Sequence, residues 1–258
     1  MGRKRIYVRK LPLEKRRELR QQALKMRKMG FSIREIASTL GISKGTIEGW
    51  IYKNRNPENL FNIPSLKPSK ELAYVLGVLV GDGCVTRGGK GTYVVKLRTA
   101  SRIFANKFKE HLEKIGLSPS INVERRSKIN PKWKDIYVVR AVSKIFYDFY
   151  KSLDLNKIRQ LIRGFEIEFL QGFYESEGSL DFRKRYKHLR IRIVNTNYEL
   201  LKLVRNIIET HLNIRCNLRK RRGTKKTAFE ILIEGNTPCR TFLEIVKPCI
   251  KNSVEEDY

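Results

Sequence analysis

Two stretches of the chain, YVLGVLVGDG at residues 74–83 and FLQGFYESEG at residues 169–178, follow one pattern. Each is an apolar, glycine-containing segment that ends in an acidic residue followed by glycine. A buried helix that ends in a carboxylate is costly, because the charge must stay close to solvent or to a cation while the preceding residues are buried. The presence of two copies therefore favours a functional role over two ordinary core helices with solvated acidic ends.

Small residues inside each copy are spaced four positions apart. Gly77 and Gly81 share one helix face in the first copy, and Gly172 and Ser176 share one in the second. Helices with such faces can cross with their backbones almost in contact. This crossing would bring the two terminal acids together, which favours a divalent cation or a shared proton between them.

The sequence after each acid repeats as well. A loop is followed by a strand-like segment, residues 93–98 (YVVKLR) in the first copy and 189–194 (LRIRIV) in the second. A helix then begins at about Ser101 and, correspondingly, at about Asn197. We interpret the chain as a duplicated unit with a pseudo-twofold axis inside one polypeptide.

The strand-like segments alternate apolar and basic residues. Lys96 and Arg98 alternate with apolar residues in the first segment, and Arg190 and Arg192 do so in the second. Period two with basic residues on one side predicts sheets that pack one face on helices and turn the other toward phosphates. For any single strand, a solvated face is the alternative. Two further candidate strands show the same alternation: residues 121–126 (INVERR) and 216–221 (CNLRKR).

The composition predicts a polyanionic partner. The 258 residues carry a formal net charge of +29 and are 41% hydrophobic, with no apolar run long enough for a membrane span. The basic residues are spread over helices, strands and loops, which favours nucleic acid over a membrane surface. No signal peptide is evident, so we expect a cytoplasmic, nucleoid-associated protein. The four cysteines lack zinc-ligand spacing and are expected to be free thiols.

The amino-terminal segment has the pattern of a helix-turn-helix. Residues 33–40 (IREIASTL) predict an amphipathic helix, residues 41–43 a turn, and residues 44–52 (KGTIEGWIY) a second helix that would enter the major groove. The alternative is a three-helix packing module that makes no base contacts. Basic residues from Arg3 to Arg17 flank the motif. The residues expected to face DNA here are Lys44, Thr46, Glu48 and Lys53.

Proline residues separate this module from the duplicated region. Residues 54–70 contain three prolines and show neither a helical nor a strand period, which predicts a linker. The domains expected from the sequence are a basic arm with the helix-turn-helix (1–53), the linker (54–70), a first half (71–164) and a second half (165–258).

The duplicated region resembles a known family, the LAGLIDADG homing endonucleases of the single-chain kind. In that family's nine-residue motif the eighth position is acidic, and residues 75–83 (VLGVLVGDG) and 170–178 (LQGFYESEG) place Asp82 and Glu177 there. The resemblance covers residues 72–258. It implies an α+β fold of two pseudo-twofold αββαββα halves with saddle-shaped antiparallel sheets, here preceded by a small all-α helix-turn-helix domain.

The resemblance also implies a chemistry, the cleavage of double-stranded DNA at a long specific site. It implies that Asp82 and Glu177 are catalytic and hold Mg²⁺ or Mn²⁺ at the scissile phosphates, with the backbone carbonyls of Gly81 and Ser176 assisting. A monomer with internal pseudo-twofold symmetry is expected. Outside the helix-turn-helix, the residues expected to bind DNA are Lys96, Arg98, Arg126, Arg183, Lys184, Arg190, Arg192, Arg219 and Arg221.

The chain departs from the family pattern near the acids. Single-chain relatives often carry lysines where Ala100 and Leu180 stand here. The basic residues that would replace them are Lys96, Arg98, Arg183 and Lys184. A site-specific endonuclease of the homing type therefore competes with two alternatives: a DNA-binding regulator on the same scaffold that does not cut, and an intron maturase that binds structured RNA.

Overall fold

The computed structural model describes Val8 and residues 11–53, 64–221 and 227–252. Within these residues, no helix combines the length and the apolar character that crossing a membrane requires. The four cysteines all lie in the described ranges and are free thiols, as predicted.

The chain divides into two compact units, Met1–Asn62 and Ile63–Tyr258. The division falls inside the predicted linker at residues 54–70. Residues 54–63 of that linker, and the basic stretch at residues 3–5, lie outside the described residues.

The amino-terminal unit is helical in its described part. Ser32 and Glu35 form a capping box in which each side chain accepts a hydrogen bond from the other's backbone N–H, and this fixes the start of the second helix. Gly41 ends that helix with a φ of 66°, and Ser43 caps the third helix. The helices are α1 (Leu13–Lys28), α2 (Ile33–Leu40) and α3 (Lys44–Ile51). The buried apolar residues are Val8, Leu19, Ala23, Ile36, Ile42, Ile47 and Trp50.

The carboxy-terminal unit consists of two αββαββα halves, which confirms the predicted fold class. The first half contains α4 (Lys70–Val80), β1 (Cys84–Arg87), β2 (Tyr93–Thr99), α5 (Arg102–Lys114), β3 (Ser120–Glu124), β4 (Ile136–Val142) and α6 (Lys144–Lys151), followed by an additional α7 (Leu155–Leu161). The second half contains α8 (Glu166–Glu177), β5 (Gly178–Arg183), β6 (His188–Asn195), α9 (Tyr198–His211), β7 (Asn217–Lys220), β8 (Phe229–Glu234) and α10 (Asn236–Val246). The strand orders are β1-β2-β4-β3 and β5-β6-β8-β7, antiparallel throughout.

Each sheet buries one face. In the first sheet Val95 and Leu97 are fully buried on the side where α5 packs. In the second sheet Ile191 and Ile193 are fully buried, and α9 packs against the neighbouring strand β8. Because side chains alternate across a strand, the residues between these positions lie on the opposite face. The outer faces are therefore available to polar side chains.

Helices α4 and α8 cross with their backbones in contact. A methyl group added to Gly77 would lie 2.2 Å from the carbonyl oxygen of Phe169, and one added to Gly172 would lie 2.4 Å from that of Tyr74. Neither distance is possible for a real side chain, so the crossing requires glycine at both positions. This contact sets the separation of the two helix ends that carry the acidic residues.

Candidate carboxylate pair and nucleic-acid interface

The two acidic residues lie at adjacent helix ends. Gly81 follows the last residue of α4, so that Asp82 lies just beyond the helix, whereas Glu177 is the last residue of α8. A methyl group on Gly81 would lie 2.6 Å from Cβ of Ser176 and 3.1 Å from Cγ of Glu177. The close approach of Gly81 thus places the two helix ends against each other. The Asp82 side chain is exposed and that of Glu177 is half-buried.

Both carboxylates have perturbed acidities. Burial by the surrounding chain raises the pKa of Asp82 even though part of its side chain reaches solvent, and a nearby Lys251 opposes that rise. Burial also raises the pKa of Glu177, and the negative charge of Asp82 raises it further. The amide of Asn195 donates to Glu177 Oε1 at 2.8 Å and, like Lys251, lowers this pKa. The two acids therefore lie within each other's electrostatic field, with one lysine acting on both.

Lys251 belongs to the segment that follows α10. Its Nζ donates hydrogen bonds to the backbone carbonyl oxygens of Glu175, at 2.8 Å, and Ser176, at 2.7 Å. Burial lowers the pKa of Lys251, while Asp82 and Glu177 raise it. The carbonyls at the end of a helix are acceptors with partial negative charge, so this is a favourable place for a cation.

A second carboxylate in α8 is fully buried. Glu175 is 1% exposed and accepts hydrogen bonds from the Tyr74 hydroxyl at 2.5 Å, from Lys107 Nζ at 2.8 Å and from the Cys249 backbone N–H at 2.7 Å. Burial and the charge of Glu175 raise the pKa of the Tyr74 hydroxyl, which stays protonated and donates. Glu175 thus joins α4, α5, α8 and the carboxy-terminal segment, and its role is structural.

The outer face of the second sheet carries arginines that are held by acids. Asp181 accepts hydrogen bonds from Arg190 at 2.8 Å and from Arg192 at 2.5 Å. Glu230 accepts one from Arg219 at 2.9 Å. These five residues lie on β5, β6, β7 and β8, where the strand register brings them together. Three of the predicted DNA-binding arginines, Arg190, Arg192 and Arg219, are therefore held in orientation by acids.

The first sheet has a smaller set of the same kind. Arg98 pairs with Glu124 on the outer face. Lys96 lies opposite Arg140 in the register of β2 and β4, and the sequence pattern had not singled out Arg140. In the turn after β3, the Arg126 guanidinium lies 5.0 Å from the ring centre of the exposed Trp133.

The remaining predicted contacts lie in turns and in the helical unit. Arg183 ends β5 and its guanidinium lies 5.4 Å from the ring centre of Tyr186. Lys184 is exposed in the turn that follows, and Arg221 lies just after β7. In the helical unit, Lys44 is exposed at the start of α3 and lies 3.5 Å from Glu48, and Lys53 is exposed beyond the end of α3. Thr46 is half-buried and its hydroxyl is 2.8 Å from that of Ser43.

The family described as LAGLIDADG-like domain matches the chain twice, over residues 69–153 and 164–247. The chain belongs to this LAGLIDADG family. The two matches follow the two αββαββα halves, so the resemblance drawn from the paired acidic motifs is confirmed. The family match does not extend to the amino-terminal helical unit.

One protein sequence and two sets of solved structures are similar to the chain. The uncharacterized protein MJ0314 of Methanocaldococcus jannaschii is 40% identical over 167 residues, which make up 63% of this chain and 60% of that protein. The chain thus spans less than two thirds of this relative. Solved structures of variants of the homing endonuclease I-DmoI share 22% identity over 69% of this chain and 96% of theirs, with a TM-score of 0.50. Full-length DUF199/WhiA from Thermatoga maritima shares 20% identity over 76% of this chain and 61% of its own, with a TM-score of 0.51. At these identities the two structural likenesses show the fold.

At the ends of the LAGLIDADG helices, some of the oxygens expected to hold a divalent metal already accept hydrogen bonds in this arrangement. The Ser176 carbonyl, an expected ligand, already accepts a hydrogen bond from Lys251, and Glu177 Oε1 accepts one from Asn195. Among the described residues, no three histidine, cysteine, aspartate or glutamate side chains are placed to hold a metal. In this arrangement the ammonium group of Lys251 occupies one of the expected ligand positions, the Ser176 carbonyl.

The LAGLIDADG motif alone did not reveal these partners. Lys251 lies outside both motifs, and no spacing in the sequence marks it. Glu175 is visible in the motif as a second acid, yet its burial becomes evident only once Tyr74 and Lys107 are known to face it. At the positions of the missing family lysines, Ala100 is exposed after β2 and Leu180 is half-buried in β5.

Proposed function

We propose that the protein binds an extended site on double-stranded DNA with the outer faces of its two sheets. The observation that carries this proposal is the repeated placement of arginines there, Arg98 in the first half and Arg190 and Arg192 in the second. Two related halves in one chain suit a DNA site read from two neighbouring major-groove segments, since β-strands can enter that groove. The net charge of +29 supports a polyanionic partner.

The arginines of the second sheet that are paired with acids favour base recognition in addition to phosphate binding. A guanidinium that is already oriented loses less conformational entropy on binding than a free one. Asp181 orients two arginines at once, and Glu230 orients Arg219. Arginine donors fixed in this way are suited to the paired O6 and N7 acceptors of guanine. We therefore assign base readout in the second half to this arginine cluster.

The helical unit is proposed as an additional DNA contact. Lys44 and Lys53 are exposed at the two ends of α3, the helix that follows the turn at residues 41–43. Joined to the LAGLIDADG unit by a short linker, it would raise affinity through effective concentration. Removal of residues 1–62 is expected to weaken DNA binding while the remaining unit keeps a cooperative melting transition.

Cleavage of the bound DNA is a second candidate function, of the kind named for the homing endonuclease I-DmoI. The observation in its favour is the retention of Asp82 and Glu177 at matching positions of the two LAGLIDADG helices. Two carboxylates that face phosphates repel them, and a protein that only binds DNA gains nothing from that repulsion. Since Lys251 already donates to the Ser176 carbonyl, an expected metal ligand, no catalytic step follows from the arrangement as it stands.

The decisive experiment selects preferred sites from randomised duplex DNA and then compares two arginine variants. Arg192→Ala removes an acid-paired arginine from the outer face, and Arg205→Ala removes one from α9, where Arg205 pairs with Glu209 at 2.9 Å. We expect Arg192→Ala to weaken binding by about 10-fold or more and to relax one base preference. Arg205→Ala, with the same change of charge, should leave both unchanged.

Other outcomes of the same assay bear on the proposal. If about ten phosphates are neutralised, the affinity should fall with salt at a log-log slope of about −9, and a slope shallower than about −3 would contradict the proposed interface. Preference for structured RNA over the selected duplex would support the maturase alternative. Cutting of both strands in magnesium or manganese would support the second candidate function. Tight binding without cutting would support DNA recognition and argue against cleavage.

A further inference from the structure

The segment after α10 is tied to α8 along its length. The Gln171 side-chain amide donates to the carbonyls of Val246, at 2.7 Å, and Lys247, at 2.6 Å. Farther along, the Tyr174 hydroxyl donates to the carbonyl of Lys251 at 2.8 Å. Together with the bond from the Cys249 N–H to Glu175, these contacts define a strap, residues 247–252, that follows α8 toward its acidic end.

Two residues of the strap have an unusual backbone conformation, and this conformation positions the Lys251 side chain. Lys247 and Lys251 have φ values of 47° and 60°, in the left-handed region that residues other than glycine rarely adopt. Such conformations persist where surrounding contacts determine them. Their result here is that the Lys251 side chain turns back over the last turn of α8.

At the end of α8 the ammonium group of Lys251 occupies a place suited to a cation. Two of its three donors reach the carbonyl oxygens of Glu175 and Ser176, at 2.8 and 2.7 Å. The carboxylates of Asp82 and Glu177 both interact with its charge. Carbonyl and carboxylate oxygens are also the ligands that Mg²⁺ and Ca²⁺ take, so the ammonium and a divalent metal would compete for one position.

We propose that Lys251 is a tethered cation that takes the place of a divalent metal at the Ser176 carbonyl, beside Asp82 and Glu177, while the strap is docked. The strap thereby offsets part of the charge of the acidic pair and keeps a metal out. Displacement of Lys251 would free the Ser176 carbonyl and leave two uncompensated carboxylates, which is a site for a divalent cation. The inference rests on the proposed assignment of Asp82 and Glu177 to the functional site, and it does not depend on DNA binding.

The test measures Mn²⁺ binding by electron paramagnetic resonance on the full-length protein without DNA. Lys251→Met removes the ammonium and keeps an unbranched side chain, and Lys247→Met makes the same change of charge at an exposed position in the same strap. We expect Lys251→Met to bind one Mn²⁺ at least tenfold more tightly than the unmutated protein. Lys247→Met should bind like the unmutated protein, and adding Asp82→Asn to Lys251→Met should abolish the gain.

Two results would overturn the proposal. The first is an unmutated protein that binds Mn²⁺ as tightly as Lys251→Met does, with that binding lost in Asp82→Asn. Lys251 would then not keep a metal away from Asp82. The other is a folded Lys251→Met protein that gains no Mn²⁺. Should Lys251→Met fail to fold, the effect of Asp82→Asn on Mn²⁺ binding by the otherwise unmutated protein decides: no effect supports the tethered cation, and a loss refutes it. A failure of DNA recognition would appear only in the selection assay, so the two proposals fail separately.

Discussion

Replacing Gly77 with alanine tests the helix crossing on which the position of both carboxylates depends. The added methyl group would lie 2.2 Å from the carbonyl oxygen of Phe169 and 2.9 Å from the backbone nitrogen of Phe173. Both neighbours are backbone atoms, so no side-chain rotation relieves the overlap. Helices α4 and α8 would have to separate by about 1.3 Å to reach an ordinary contact distance of about 3.5 Å.

The expected loss of stability follows from two opposing effects. Overpacking costs about 1–3 kcal/mol and sometimes more, and a contact between two backbones belongs at the upper end of that range. Alanine has a better helix propensity than glycine, which returns about 1 kcal/mol. The free energy of unfolding should therefore fall by about 2 kcal/mol, which corresponds to a decrease in Tm of about 4–8 °C for a unit of this size.

Thermal melting followed by circular dichroism measures this change. The control is Gly45→Ala in α3, where no atom apart from the adjoining backbone of the same helix lies within 4 Å of the added methyl group. That substitution should leave the melting of its own unit unchanged or raise it slightly, because only the helix propensity changes. A Gly77→Ala protein that melts at the same temperature as the unmutated one, or higher, would refute a crossing in backbone contact.

Two further substitutions test the charges around the crossing. Burial raises the pKa of Asp82 above its unfolded value, so the stability that this group contributes is present at acidic pH and is lost as the pH rises through the folded pKa. Asp82→Asn should therefore raise the urea midpoint at about pH 7 and give little gain at about pH 3, and equal gains at both would contradict the assignment. Tyr74→Phe removes a donor from the buried Glu175 carboxylate and should lower the free energy of unfolding by about 2–3 kcal/mol. Tyr150→Phe removes a bond to a backbone carbonyl and should lower it by about 1 kcal/mol, so equal losses in urea unfolding would show that the Tyr74 bond is no stronger than an ordinary one.

Features that depend on nearby residues could be predicted from the sequence. The four-residue spacing of Gly77 and Gly81 reflects one helix face, and the alternation in β2 and β6 reflects the two faces of a strand. Both periods are fixed by backbone geometry, so they show in the sequence without knowledge of the fold. The repetition of the whole pattern then identified two related halves.

Features that join distant residues could not be predicted in this way. Asp181 orients Arg190 and Arg192 because β5 and β6 pair in one particular register, which the alternation alone leaves open. Lys251 reaches the end of α8 because the strap passes along that helix. In the sequence, Lys251 lies 74 residues after Glu177. The left-handed backbone conformation of Lys251 is imposed by tertiary contacts. Such a conformation is usually predicted from glycine or asparagine, and the residue here is a lysine.

The position of Lys251 also bears on the DNA interface that we propose. Asp82 and Glu177 without a cation would form a negative patch between two basic sheets, and that patch would repel the phosphates that the sheets attract. Lys251 reduces this conflict within the chain, since the carbonyls of Glu175 and Ser176 hold its charge near both acids before DNA arrives. It follows that neutralising the acids and neutralising Lys251 should have opposite effects on DNA affinity in the absence of metal. Asp82→Asn relieves repulsion from the phosphates, whereas Lys251→Met restores it.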